Sequence, residues 1–128
     1  MNGPRPLRIV VADDDHDTAD TLTALLRAEG HEARVLYDGQ HVPDAVRDFG
    51  PDAVLLDIGM PGISGYEVAS ELRKQYGSAT PMLIAVTGWT KGWQKQLGQR
   101  SGFDHYVEKP YDSRHLLNLL QPLSENAL

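Results

Sequence analysis

At 128 residues the chain has room for one domain, and 41% apolar content is enough to bury a core without staples. The absence of cysteine excludes disulfides and thiolate metal sites, and suits a reducing cytoplasm, the expected location. A net charge of −6 argues against a nucleic-acid surface and leaves room for a cation site or a basic partner. The longest apolar runs fall far short of the roughly 20 residues a bilayer span needs. Met1–Pro6 carries no apolar stretch after its basic residue, so it reads as a flexible lead-in and not a signal peptide.

The first strand is expected over Leu7 to Ala12, where Ile9, Val10 and Val11 form a β-branched run suited to burial on both faces. A helix over about Asp17 to Glu29 follows from Ala19, Leu22, Leu25 and Leu26 at helical spacing, and Gly30 ends it. A second strand, about Glu32 to Tyr37, stops at Asp38-Gly39. A second helix, about Gln40 to Phe49, has Val42, Ala45, Val46 and Phe49 on one stripe and Pro43 in its first turn. After the turn signal Gly50-Pro51-Asp52, Ala53 to Asp57 reads as the most buried strand of the chain. Ile58 to Gly65 is a glycine-rich loop, and a third helix is expected over about Tyr66 to Gln75. Met82 to Thr87 is a fourth strand. A fourth helix, about Gly92 to Ser101, is weak: it contains Gly98 and has only Trp93 and Leu97 as an apolar face. It carries Lys91, Lys95 and Arg100 without an acid between them. His105 to Glu108 is a fifth strand, and Asp112 caps a fifth helix with Leu116, Leu117, Leu119 and Leu120.

Five strands alternating with five helices predict an α/β fold, a doubly wound five-stranded parallel sheet of flavodoxin-like order 2-1-3-4-5. The domain is expected over residues 7–121, with a tail over 122–128. In such sheets ligands bind outside the carboxyl ends of the strands, at the switch point between the first and third. The strands end in Asp13-Asp14-Asp15, in Asp57, in Thr87-Gly88 and in Glu108-Lys109-Pro110, with no apolar residue at any of these four ends. Carboxylates brought together repel unless a cation neutralises them. Mg²⁺ takes hard oxygen ligands and keeps waters and phosphate oxygens. Asp13, Asp14 and Asp57, with a backbone carbonyl from the following loop, can form part of its shell. An aspartate is also a nucleophile toward phosphorus, and phosphoryl transfer needs positioning and charge neutralisation, for which Lys109 and Thr87 are suited.

With these residues in this order, the chain resembles the receiver domain of two-component response regulators, of the chemotaxis-regulator type. The motifs are Asp13-Asp14, the stretch Leu55-Leu56-Asp57-Ile58-Gly59-Met60-Pro61-Gly62-Ile63-Ser64-Gly65, Thr87 and Lys109-Pro110, and the resemblance covers about residues 7 to 121. It implies that Asp57 is the phosphoacceptor and that Asp13 and Asp14 bind Mg²⁺ together with Asp57 and the Gly59 carbonyl. It implies further that Lys109 pairs with the phosphoryl group through a loop with a cis bond to Pro110, and that Thr87 and Tyr106 are the switch residues.

The implied donor is a histidine kinase or a histidine phosphotransfer domain, and the implied output is a protein that reads the face of the fourth helix, fifth strand and fifth helix. No direct nucleic-acid contact and no membrane insertion are expected. Nor is turnover of a separate substrate, the only catalysis being the domain's own aspartyl phosphorylation and dephosphorylation. Two positions depart from the commonest pattern: Gly88 stands where alanine is usual, and Trp89 can shield an acyl phosphate from water. The five histidines, His16, His31, His41, His105 and His115, are not spaced as a metal pair, although His16 adjoins the acids. Asp15 is expected to cap the first helix. The alternative to the phosphorylated switch is a phosphorylation-independent interaction module on the same fold.

Overall fold

The computed structural model describes residues 5–60, 64–87, 102–109 and 112–125, and of Thr87 the backbone only. Five strands, β1 (Arg8–Ala12), β2 (Glu32–Leu36), β3 (Ala53–Asp57), β4 (Met82–Thr87) and β5 (His105–Glu108), form one sheet in the order β2-β1-β3-β4-β5. All four pairings are parallel. The described helices are α1 (His16–Ala28), α2 (Val42–Phe49), α3 (Gly65–Tyr76) and α4 (Ser113–Glu125), with a short 3₁₀ turn at Gly77–Ala79. Thus α4 is the fifth helix of the sequence reading; the fourth expected helix lies outside the described residues, as do Gly88, Trp89 and Pro110. No described helix is long and apolar enough to cross a membrane.

The strand alternation builds two cores. Ile9, Val11, Leu55, Ile84, Val86 and Val107 face α1 and α4, against Leu22, Leu26, Leu116 and Leu120. Val10, Ala12, Val54, Leu56, Leu83 and Ala85 face α2 and α3, against Val46, Val68 and Leu72. Each fully buried leucine contributes about 1.5–3 kcal/mol through removal from water. Parallel strands joined by helices are buried on both faces, which is why β3 has no exposed residue.

Most element ends lie within one or two residues of expectation, and the ordered structure reaches beyond both expected ends of the domain. The last helix runs through Pro122 to Glu125, so the tail expected from residue 122 is partly helical. Proline there removes one N–H, and the carbonyl left without it belongs to the exposed residue Asn118, where water can serve. Ser124 is buried because its hydroxyl bonds the Arg5 carbonyl, while Arg5 N–H donates to the Ser124 carbonyl at 3.2 Å. Arg5, read as part of a flexible lead-in, is held further by Asp52, to which its two terminal guanidinium nitrogens donate at 3.2 and 2.9 Å.

Candidate functional site

β1 and β3 are neighbours in register, Ala12 opposite Leu56, so the residues that follow them emerge side by side. These are Asp13 and Asp57, 4% and 8% exposed, two of the few buried polar residues among those described. Asp14 stands beside them, exposed. The three offer carboxylate oxygens that all lie within 4.8 Å of one another. Among the described residues this is the one group of acids and histidines that can hold a metal ion, and no histidine belongs to it.

Lys109, just past β5, reaches across the sheet into this group. Its ammonium donates to Asp13 Oδ2 at 2.9 Å and to Asp57 Oδ2 at 3.3 Å. Asp57 Oδ1 accepts the Gly59 N–H at 2.8 Å, so the turn after β3 orients the carboxylate through its own backbone. A side chain at Gly59 would meet that oxygen at 3.4 Å. Asp13 Oδ1 accepts the Asp15 N–H at 3.0 Å. Both buried carboxylates are thereby held at two points.

Burial pushes the Asp57 carboxyl above its ordinary pKa; the Gly59 amide works against this, and the neighbouring Asp13 adds to it. Burial pulls the Lys109 ammonium down, but its bond to Asp13 and the charge of Asp57 outweigh that, and its pKa is raised. Three carboxylates against one ammonium leave two negative charges uncompensated. The donor set is all hard oxygen, partly buried and partly open through Asp14. That combination fits a divalent cation of the Mg²⁺ or Ca²⁺ class.

The structure therefore brings Asp13, Asp14, Asp57 and Lys109 together, with Gly59 touching the group through its amide. Thr87 ends β4, its backbone paired with Glu108, one residue before Lys109. Tyr106 faces the α2/α3 core. Asp15 stands at the N-cap of α1, and its carboxylate accepts the Thr18 hydroxyl at 2.7 Å, which holds its pKa below the ordinary value. His16 stacks on Tyr37, ring centroids 3.8 Å apart, and Tyr37 donates its hydroxyl to Asp20 at 2.6 Å. The pair braces the start of α1 against the end of β2. The sequence reading passed over Tyr66, whose hydroxyl meets that of Tyr106; its place directly after the glycine-rich loop was the available signal.

Comparison with known proteins agrees with this geometry. The family model described as response regulator receiver domain matches residues 9–121. The chain is 42% identical over 110 residues to the DNA-binding response regulator MtrA of Mycolicibacterium smegmatis, covering 86% of this chain and 47% of that one. To MtrA of Mycobacterium tuberculosis strain H37Rv it is 41% identical, with the same coverage. The chain thus spans about half the length of these regulators. Among solved structures, the receiver domain of the Francisella response regulator 1452 matches with a TM-score of 0.84 at 25% identity, covering 98% of this chain and all of that one. The signal receiver domain of a response regulator from Bermanella marisrubri matches with a TM-score of 0.81 at 28% identity, covering 91% and 96%. This chain belongs to the response regulator receiver domain family of two-component signalling.

Proposed function

We propose that the domain accepts a phosphoryl group on Asp57, in a reaction that needs a divalent cation, Mg²⁺ by its hardness, and that this changes how it binds a partner. The observation that carries the reading is the sharing of one ammonium by Asp13 and Asp57, delivered from two different strands with Asp14 alongside. Two buried carboxylates left this under-compensated destabilise a pure interaction module and are of use to a charge-transfer site.

In this reading an Asp57 carboxylate oxygen forms the new O–P bond while the donor's P–N bond breaks. The electron pair leaves on the donor's imidazole, whose other ring nitrogen carries a proton, so that the cationic phosphoimidazole departs as neutral imidazole. Gly59 holds Asp57 Oδ1, which leaves Oδ2, bound less closely, facing Lys109. Lys109 has three protons to give. It keeps its shorter bond to Asp13 while another turns from Asp57 to the incoming phosphoryl oxygens. Asp13, Asp14, Asp57 and the Gly59 carbonyl would hold the cation, whose contribution is to neutralise charge on the phosphoryl oxygens. Thr87 and Tyr106 are assigned the switch: the added charge biases a two-state element around β4 and β5. The donor is a histidine kinase or phosphotransfer domain.

The MtrA relatives are DNA-binding regulators about twice this length, and their DNA binding is a property of those proteins. The expectation of no nucleic-acid contact concerns this acidic domain alone. Incubation with acetyl phosphate and Mg²⁺, followed by intact mass, tests the proposal. One added phosphoryl group, lost in Asp57→Asn and lost with EDTA, is expected; incorporation that persists in Asp57→Asn refutes it.

A further inference from the structure

Tyr106 sits within a cluster of three rings. Its hydroxyl donates toward Tyr66 Oη at 3.5 Å. Phe103, buried, meets Tyr66 edge-on with centroids 6.2 Å apart at 78°, and lies tilted against Tyr106 at 6.0 Å and 58°. Tyr106 is in register with Ala85 on β4, and Ala85 with Leu56 on β3, all on the α2/α3 side of the sheet. The β4 neighbour of the tyrosine is thus a methyl group.

Tyr66 is also tied to the phosphoacceptor turn. It is the second residue of α3, and its N–H donates to the N-cap Ser64 Oγ at 3.1 Å. The residue before it, Gly65, packs so closely on Ile58 that an added Cβ would stand 2.8 Å from Ile58 Cα. Ile58 directly follows Asp57. Asp57 and Tyr106 are therefore joined by a short chain of contacts: Ile58 against Gly65, then Tyr66 against Tyr106 and Phe103. This route does not pass through Thr87.

We propose that Tyr66 is a positioning residue for the switch: its hydroxyl and the Phe103 ring set the resting orientation of Tyr106. Movement of the turn after Asp57 shifts Tyr66 and resets that hold. The proposal rests on Asp57 being the phosphoacceptor. A hydroxyl–hydroxyl contact at 3.5 Å is longer than the usual 2.7–2.8 Å, so its worth is at the low end for a neutral hydrogen bond. That strength biases a two-state equilibrium without locking it, as a switch requires.

Beryllofluoride, a phosphoryl mimic, reads the coupling through its half-saturation concentration in the presence of Mg²⁺. The full chain is labelled with 3-fluorotyrosine, and the Tyr106 ¹⁹F signal is assigned by its loss in Tyr106→Phe. Tyr66→Phe keeps the ring and removes only the hydroxyl. It is expected to move the beryllofluoride midpoint roughly two- to five-fold and to have no such effect in a Tyr106→Phe background, the non-additivity that marks direct coupling. The Tyr106 signal is expected to move in the free protein toward its beryllofluoride position. An unchanged midpoint, or the same change with and without the Tyr106 hydroxyl, overturns the positioning role while leaving the acceptor reading intact. Failure of the wild-type chain to take phosphate at Asp57 overturns both.

Discussion

The two ends of the sheet use aspartate in opposite ways. At the amino end Asp52, just before β3, accepts two bonds from Arg5 and the Arg8 N–H at 2.9 Å. Burial pushes its pKa up, but these bonds outweigh burial, and the carboxyl is held below its ordinary value. Beside it, His31 Nδ1 accepts the Leu7 N–H at 3.0 Å. At the carboxyl end Asp13 and Asp57 share one lysine, and burial leaves the Asp57 carboxyl above its ordinary value. One end is matched and adds stability; the other is left short of positive charge, and that shortfall is what admits a cation and a phosphoryl group.

The largest expected effect comes from Asp57→Asn. Phosphoryl incorporation disappears, yet in EDTA at neutral pH the variant is more stable than wild type. Asparagine still accepts the Gly59 N–H and no longer places a second charge against Asp13. Each kcal/mol gained is worth about 3–5 °C in melting temperature for a domain of this size. Added Mg²⁺ narrows the difference by stabilising wild type alone. A variant less stable than wild type in EDTA would erase the contrast between the two ends.

Lys109→Met tests the same shortage from the other side. Two buried carboxylates then face each other with no ammonium between them. The expected loss in EDTA is about 2 kcal/mol, less than for a fully buried pair because the lysine is 26% exposed. Mg²⁺ restores part of it. Equal losses with and without Mg²⁺ would mean that the lysine acts by packing and not by charge.

How much of this was legible in the sequence follows from the range of each interaction. β3, β4 and β5 run over the residues expected: β3 and β4 are continuous apolar runs ending in a charged or hydroxyl residue, and β5 is a short stretch with a tyrosine and a valine before its acid. Asp13, Asp14, Asp57 and Lys109 were legible as a group because the strand-end rule turns a linear pattern into a place. The Arg5–Asp52 pair was not: its partners lie 47 residues apart, and nothing in either segment names the other. The end of the last helix was not legible either: its last apolar pair, Leu119 and Leu120, stops short of Pro122, and the turn beyond is held by the contact of Ser124 with Arg5, residues 119 apart in the chain. Tyr66 stood in a marked place directly after the glycine-rich loop, but a tyrosine in the first turn of a helix is ordinary until the fold sets Tyr106 opposite.

At the amino end, Asp52→Asn is expected to cost about 1–2 kcal/mol at neutral pH, the scale of charge-assisted hydrogen bonds discounted for the partial exposure of Arg5. The sign with pH is fixed by the lowered carboxyl: the stability is present above the ordinary carboxylate pKa, about 3.9, and is lost as pH falls through the folded value. Urea unfolding at pH 7 and at progressively lower pH checks this; the two proteins should converge in acid. Divergence on acidification would show that Asp52 gains nothing from its arginine.

The smallest expected effect, and the most specific, is at His31. Its Nδ1 is an acceptor, so the imidazole must be neutral in the fold. Burial lowers its pKa, while Glu29 and Asp52 pull the other way and lose. A lowered histidine contributes stability above its unfolded pKa, about 6.5, and loses it as pH falls toward the folded value. His31→Asn offers an oxygen acceptor near the Nδ1 position and cannot be protonated. Wild type should hold an advantage of less than about 1 kcal/mol at pH 8, shrinking as the pH is lowered to 5.5. An advantage that grows on acidification would mean that Glu29 and Asp52 hold a charged imidazole. The amino end of the sheet would then be an acid-stabilised cluster and no longer the neutral, matched counterpart of the phosphoacceptor end.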